Sequence, residues 1–464
     1  MAGRLRRRRL GLAVRDAPVP PGAVDRSGVP AGRRARRPAR RRRRHRVHQL
    51  GANRRRVHRA GAGHDAAHVD LAGRSLPPAG GDRPRVRASR PDAGGWSSGV
   101  SDGARPLVDI RLDGIDTRGG VAPGVSGVAI HVRYGEFFTL LGPPKSGKSD
   151  VLRAVAGFLA MTRGRVLVDG QDISKIPPHA RGVGYVFQDG ALWPHLSVRE
   201  HVAFGLRQQR VATPDIERRV ATVLARLQLD TVVTSKPGDL SLEQRRRLAL
   251  ARALAVEPRV LLLDEPLANV DPTARKGLRL ELAKLHRDLA VTTLHATRNA
   301  ADALALSDRL AVMDGGRVLQ VGEPSELYHR PHSRAVAEAL GPANFLTVRV
   351  VEVRELGVVV ETEGGDRVPV AGIGAYRVGD RGLLVLRPET LSLTESAMAR
   401  GPGIPGHVAL RIFEGGRHLY EIEIGASAPV RVELPSVGES RIFRLGDRVR
   451  VEVSSDTVVL VPAS

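Results

Sequence analysis

Two stretches of this chain carry residue types that handle phosphate and a metal ion. Gly142-Pro143-Pro144-Lys145-Ser146-Gly147-Lys148-Ser149 follows the apolar run Phe137 to Leu141 and precedes Val151, Leu152, Val155 and Leu159 at helical spacing. The pattern is G-x-x-x-x-G-K-[ST], a phosphate-binding loop between a buried strand and a helix. Glycines let backbone N–H groups approach phosphates, Lys148 would reach the β- and γ-phosphates, and Ser149 would ligate magnesium at a helix start. The second stretch, Val260-Leu-Leu-Leu-Asp264-Glu265-Pro266, ends an all-apolar strand in two carboxylates. Such an end is costly without partners. Here Asp264 would bind magnesium through water and Glu265 would polarise the attacking water of a triphosphate.

The elements that must position these groups lie after residue 104. Residues 1 to 104 contain 26 Arg and 7 Asp with no Lys or Glu, a net charge of +19. That leaves 47 basic and 42 acidic groups, a net +5, for the other 360 residues. The overall +24 therefore describes one segment. That segment lacks Ile, Phe and Tyr and includes the run Arg33 to Arg44, so it cannot build a core and is expected to be disordered. An arm binding nucleic acid or anionic lipid is one reading, but a start site placed too far upstream in GC-rich DNA is the preferred one, and no nucleic-acid partner is expected. No apolar stretch follows the basic Met1 to Leu10 run as a secretory signal requires, and no 18-residue apolar run offers a membrane span. The absence of cysteine excludes disulfides and thiolate chemistry.

From Leu107 strands alternate with helices. Leu107 to Leu112, Val128 to Val132, Arg165 to Gly170 and Val183 to Gln188 read as strands. Ala191 to Asp239 reads as mainly helical, with Val220, Val223, Leu224 and Leu227 on one face. Asp314-Gly-Gly316 is a hairpin turn, and a helix opens near Gly322 to Tyr328. Beyond Gly341-Pro-Ala-Asn-Phe345 come short strands with Gly/Pro breaks: Thr347 to Val353, Gly357 to Thr362, Leu383 to Leu386, His407 to Phe413, Leu419 to Ile424, Val430 to Leu434, Arg448 to Val453 and Thr457 to Val461. They suggest a small barrel.

Taken together, residues from about Leu107 onward resemble the ATP-binding subunits of ABC transporters, within the importer group that serves polyamines, ferric iron, phosphonates and quaternary amines. Tyr185 to Ser197 matches the Q-loop region, with Gln188 as the γ-phosphate and magnesium sensor; Ala249 to Leu254 matches the helix after the signature; Leu267 to Asp271 matches the D-loop; Ala303 to Arg309 matches the run after the switch histidine. The resemblance implies an α/β P-loop NTPase of ABC type with a helical subdomain over 105–340, then a transport-associated OB-type domain over 341–464. It implies ATP and magnesium as cofactors, with Gly142 to Ser149, Ser241 and Asp271 on the nucleotide, Ser149, Gln188 and Asp264 on the metal, and Glu265, Gln188 and Arg298 in catalysis. The implied partners are transmembrane permease subunits, a second ATP-binding subunit and, through the permease, an extracytoplasmic solute-binding protein. The implied location is peripheral, at the cytoplasmic face of the membrane. Few rings stand near charge in the C-terminal region, so nucleic acid is not expected there and a regulatory or dimer-contact role is.

Three positions depart from the family. Leu240-Ser241-Leu242-Glu243-Gln244 replaces LSGGQ, which would aim the Glu243 carboxylate at a γ-phosphate; Ser241 and Gln244 still form a capping box. Arg298 stands at the switch position, while His295 reads as a packed strand residue. Arg298, a permanent cation, could contact a γ-phosphate but could not act as a neutral acceptor. Gly119 stands where an aromatic would stack on adenine, and the nearby Tyr134 lies in a turn beside Gly135. These departures leave a second reading, a nucleotide-binding regulatory subunit with little hydrolysis, and a third, a ribosome-acting ABC protein, which would need two such loops where this chain has one. Deletion of residues 1–104 should leave the melting temperature of the purified protein within a few degrees of the parent's; a larger fall would make the arm part of the fold.

Overall fold

The computed structural model describes residues 108–118, 124–372, 376–395, 403–425, 428–436 and 441–463. The Arg-rich segment and Gly119 lie outside them. The described residues open with β1 (Ile110–Thr117) and β2 (Val128–Val132), then β3 (Phe137–Leu141), which leads through the phosphate-loop sequence into α1 (Lys148–Ala156). Next come β4 (Met161–Val168), β5 (Gln171–Asp172) and β6 (Val183–Val186). Three helices follow, α2 (Val198–Gln208), α3 (Thr213–Arg226) and α4 (Leu242–Ala255). The α/β part finishes with β7 (Val260–Asp264), α5 (Pro272–Leu289), β8 (Thr292–Thr297), α6 (Ala300–Leu306), β9 (Arg309–Asp314), β10 (Arg317–Gly322), α7 (Pro324–His329) and α8 (Arg334–Leu340).

Strands β9, β3, β8, β7 and β6 run parallel in one sheet, and β10 returns antiparallel beside β9. Parallel strands are covered on both faces, so they are near-continuous apolar runs. Every residue of β3, β7 and β8 is buried accordingly. A second, antiparallel sheet in the order β2-β1-β4-β5 packs its core with α1, including Val151, Leu152 and Val155. Helices α2, α3 and α4 share another core through Val202, Leu206, Val220, Leu224 and Leu248. Helix α1 is shorter than its apolar spacing suggests: Gly157, at φ 83°, ends it, and Leu159 lies beyond.

The C-terminal region consists of β11 (Asn344–Arg354), β12 (Gly357–Thr362), β13 (Arg367–Ala371), β14 (Arg381–Leu386), β15 (Ser392–Glu395), β16 (Gly403–Phe413), β17 (Arg417–Glu423), β18 (Val430–Pro435), β19 (Arg448–Glu452) and β20 (Val459–Pro462). They form two five-stranded antiparallel sheets, β13-β12-β11-β14-β20 and β15-β19-β16-β17-β18, around one apolar core that contains Val360, Leu384, Tyr420 and Val451. Strands β13 and β15 were not anticipated from the sequence. Both are edge strands, the place where Pro369 costs no ladder hydrogen bond and where four residues suffice.

One buried guanidinium joins this region to the α/β part. Arg387, 3% exposed, donates to the carbonyls of Gly341 (3.0 Å), Pro342 (2.9 Å) and Tyr328 (3.4 Å) and lies 4.1 Å from the Tyr328 ring centroid. Ala337 of α8 packs against Val385 and Val461 beside it. Leucine at 387 would leave three acceptors without their donor. Arg387→Leu should therefore destabilise the chain by about 2–4 kcal/mol in urea unfolding. Arg387→Lys should recover little of that, because a single ammonium cannot span the fork. A variant as stable as the parent would remove Arg387 from the junction's energetics.

Candidate functional site

The loop after β3 is held in a shape only its own residues permit. A Cβ on Gly142 would lie 2.1 Å from the Met313 carbonyl oxygen, and one on Gly147, at φ 94°, would lie 2.6 Å from Val125 Cγ1. The β9–β10 turn clasps the loop from outside, with Gly316 N–H donating to the Ser146 carbonyl (3.2 Å) and Ser126 N–H to the Gly316 carbonyl (2.9 Å). Lys148 is 4% exposed. Its Nζ donates to the carbonyls of Gly142 (2.8 Å) and Pro143 (2.7 Å) and to Ser146 Oγ (2.9 Å). Burial lowers its pKa to about 8; the nearby Glu265 carboxylate opposes that shift and Arg298 adds to it.

Asp264, at the end of β7, is 2% exposed and receives two hydroxyl donors, Ser149 Oγ on Oδ1 (2.7 Å) and Tyr185 Oη on Oδ2 (3.0 Å). The next residue, Glu265, sits at φ 46°, a conformation that costs a non-glycine residue roughly 1–3 kcal/mol and persists where neighbours fix it. Its N–H donates to the Ala296 carbonyl of β8 (2.9 Å), and its own carbonyl accepts from Ala268 (3.0 Å). Its carboxylate is paired: Arg298 Nε lies 2.9 Å from both oxygens.

Pro144 to Ser149, Asp150, Arg153, Gln188, Glu265 and Arg298 line one cleft of about 260 Å³. The structure thus brings together the loop, Gln188 and the two charged residues expected in catalysis. Gly142 and Pro143 stand behind the loop as Lys148's acceptors, and Asp264 stands behind Ser149. Ser241 and Asp271 are not among the cleft's lining; each caps a helix. Ser241 Oγ accepts from Gln244 N–H (3.1 Å) and Gln244 Oε1 from Ser241 N–H (2.9 Å), the reciprocal cap of α4. Asp271 Oδ1 accepts from the N–H groups of Thr273 and Ala274 at the start of α5.

The expectation for Glu243 changes in one respect. Its carboxylate pairs with Arg247 one turn on (2.8 Å), which also holds Glu281 (2.9 Å), so the negative charge at this helix start is partly neutralised. His295 is wholly buried, with Nδ1 3.0 Å from Thr139 Oγ1, and burial lowers its pKa to about 4, so it is neutral. Tyr134 is exposed and its hydroxyl donates to Asp169 (3.2 Å).

Three contributors were not singled out in the sequence. Tyr185 is a polar-tipped ring in an apolar strand, and burial together with Asp264 raises its pKa so that the hydroxyl stays a donor. Arg246 of α4 donates to the Gln188 carbonyl and, at 3.0 Å, to that of Ala268, joining the segments on either side of the cleft. Asp302, fully buried, receives Arg275 (2.6 Å) and Arg279 (3.1 Å), tying α5 to α6. A charged residue three positions after a helix cap was the available signal for Asp302; the other two had none.

The donor set suits magnesium. Among the described residues no cluster of three His, Cys, Asp or Glu side chains forms a metal cage. A hydroxyl and a carboxylate 2.7 Å apart beside a phosphate-binding loop are what a magnesium ion needs when phosphates and water supply its remaining ligands.

Comparison with known proteins finds matches in both the α/β part and the C-terminal region. The ABC transporter family matches residues 125–268 and the TOBE domain family residues 384–461. The chain is similar to the spermidine/putrescine import ATP-binding protein PotA of Frankia alni, 38% identical over 75% of this chain and 77% of the relative. It is 35% identical to PotA of Nitrosomonas eutropha over 74% and 95%, and 37% identical to PotA 1 of Pseudomonas aeruginosa over 71% and 90%. The solved cbiO1 of Clostridium perfringens, part of the ABC transporter complex cbiONQ, is 29% identical with a TM-score of 0.44 over 47% of this chain and 90% of that one.

Because Lys148 has a pKa near 8 against 10.5 for a free lysine, the folded chain holds its proton less tightly than the unfolded chain between those values. The group therefore favours folding increasingly as pH rises through that window, while the ammonium that phosphate needs is lost. A triphosphate would restore the charge, so binding should take up a proton above pH 8. Nucleotide affinity is expected to fall above pH 8, by at most about tenfold per pH unit. Calorimetry in buffers of different ionisation enthalpy should register the proton; a flat profile from pH 7 to 9.5 would contradict the assignment.

Proposed function

Since the chain belongs to the ATP-binding subunits of ABC importers that carry a C-terminal TOBE domain, and so binds and hydrolyses ATP to drive solute import through a membrane permease, we propose that the cleft around Lys148 is its catalytic site and a polyamine-like organic cation its solute. The observation that carries the site is the convergence of Lys148, Ser149, Gln188, Glu265 and Arg298 on one cleft, with Asp264 hydrogen-bonded to Ser149. The relatives' names support the solute class. Family membership favours an import ATPase over a regulatory subunit.

In this reading residues 105–340 form the nucleotide domain and 341–464 the TOBE region. Loop N–H groups from Lys145 to Ser149 surround the phosphates, since Pro143 and Pro144 carry no N–H, and Lys148 turns from the loop carbonyls to the β- and γ-oxygens. Ser149, Asp264 and Gln188 would hold magnesium, which supplies charge neutralisation between those phosphates. Glu265 accepts a proton from the attacking water, and for that it must first be released by Arg298. A γ-phosphate carries the charge to draw the guanidinium away, so filling the site frees the base. Ser241 and Asp271, set apart from the cleft, face the ATP of a second ATP-binding subunit in a closed pair. That pair sits at the cytoplasmic face of the membrane, with a solute-binding protein engaging the permease outside. Among the described residues no helix is long and apolar enough to cross a membrane.

The test is purification with the membrane partners, reconstitution, and ATPase measured with and without polyamine. Stimulation by polyamine is expected, and an ATPase indifferent to polyamines but responsive to another solute class would reassign the cargo. Glu265→Gln should abolish turnover. Arg298→His, which unlocks Glu265 and restores a neutral imidazole, should raise turnover severalfold. Adding Leu242→Gly and Glu243→Gly should bring the total to about tenfold or more, within what one or two well-placed transition-state donors contribute. Equal rates in parent and Arg298→His would mean that the Arg298 pair does not restrain hydrolysis.

A further inference from the structure

Tyr185 lies in β6, paired in parallel register with Leu262 two residues before Asp264, so its phenol must reach forward along the neighbouring strand to touch the carboxylate. The ring is fixed on that course. Its centroid is 4.3 Å from that of Phe187 and 5.6 Å from that of Phe158, the latter edge-on. Asp264 is thus held by two hydroxyls from opposite sides, Ser149 on Oδ1 and Tyr185 on Oδ2. Rotating the carboxylate would break both bonds at once in a place that is 2% exposed. Of the two, Ser149 is itself assigned to the metal and must share its oxygen, whereas the Tyr185 hydroxyl, which also interacts with Arg153, donates to Asp264. Phe187 immediately precedes Gln188, so the packing that fixes the ring also adjoins the third residue assigned to the metal.

We propose that Tyr185 is a positioning residue for the nucleotide's divalent cation: its hydroxyl sets the orientation in which Asp264 presents Oδ1, and its ring links that orientation to the Gln188 segment. The proposal rests on the reading of the cleft as a magnesium-nucleotide site. Outer partners of metal ligands commonly change metal affinity by about 10–100-fold; a contact acting on a water-mediated carboxylate should lie at or below the lower end.

The experiment uses the full chain. A fluorescent ATP analogue is titrated in EDTA and then at fixed concentration against Mg2+, and bound Mn2+ is followed by electron paramagnetic resonance. Tyr185→Phe keeps the ring and its packing and deletes the hydroxyl, which is the donor to Asp264 and also interacts with Arg153. Its metal-free nucleotide affinity should stay within about twofold of the parent's while the Mg2+ concentration for half-saturation rises by about three- to tenfold, with a matching loss of Mn2+ affinity. Phe187→Leu, which loosens the ring and spares the hydroxyl, should shift the Mg2+ curve the same way by less, and decides the matter if Tyr185→Phe fails to fold. Superimposable Mg2+ curves for the parent and the folded variants, beside Asp264→Asn and Lys148→Ala controls that lose their expected dependence, would overturn the role of Tyr185 and leave the cleft's assignment standing. Controls that bind nucleotide and metal like the parent would overturn both.

Discussion

A carboxylate at the end of a fully buried strand has to find donors, and much of the α/β part is arranged around the two that Asp264 finds. β7 has no exposed residue, so the charge it carries at its end has little access to water and depends on what neighbouring elements deliver. β3 and its loop place α1 so that Ser149 arrives on one oxygen, and β6 carries Tyr185 to the other. The glycines of the loop matter for the same reason: a side chain at 142 or 147 would collide with the Met313 carbonyl or with Val125 and displace the loop that leads into α1. The metal-facing geometry is thus a consequence of sheet order, with the strand before the loop two places from β7 and β6 directly beside it.

Glu265, one residue further, is treated differently. It sits in a left-handed backbone conformation, held by β8 through Ala296, and its carboxylate meets Arg298, which stands where the sequence reading expects a switch histidine. An imidazole there would be a modest neutral partner; a guanidinium makes a charge-assisted pair that is partly shielded from solvent. The departure at Arg298 therefore bears directly on Glu265. By contrast, the departure at Glu243 is softened locally by Arg247, so the two substitutions differ in how far they disturb the site.

The motifs were legible because their chemistry fixes the spacing: the loop, the carboxylates at the end of β7, and the reciprocal Ser241–Gln244 cap follow from residue type and short-range geometry. Apolar strands such as Phe137–Leu141 and Val128–Val132 were legible too, through burial on one or both faces. What stayed hidden depends on residues far apart in the chain. Tyr185 meets Asp264 across 79 positions and Arg298 meets Glu265 across 33, and no local pattern announces either. Edge strands β13 and β15 were hidden for another reason, since an internal proline or a four-residue length weakens the alternation that marks a strand.

Asp302 has no exposure and two guanidinium partners, both from α5, while it belongs to α6. Removing a buried carboxylate from between two arginines is costly, so α5 and α6 cannot shift independently without losing that cluster. At the near end of α5 is its cap, Asp271; two residues before α6 is Arg298, on the wall of the cleft. The cluster acts as a strut between them. Asp271 and Arg298 are thereby seated on helices that one buried cluster fastens together, so the placing of the cleft's Arg298 wall depends on a helix that does not line it.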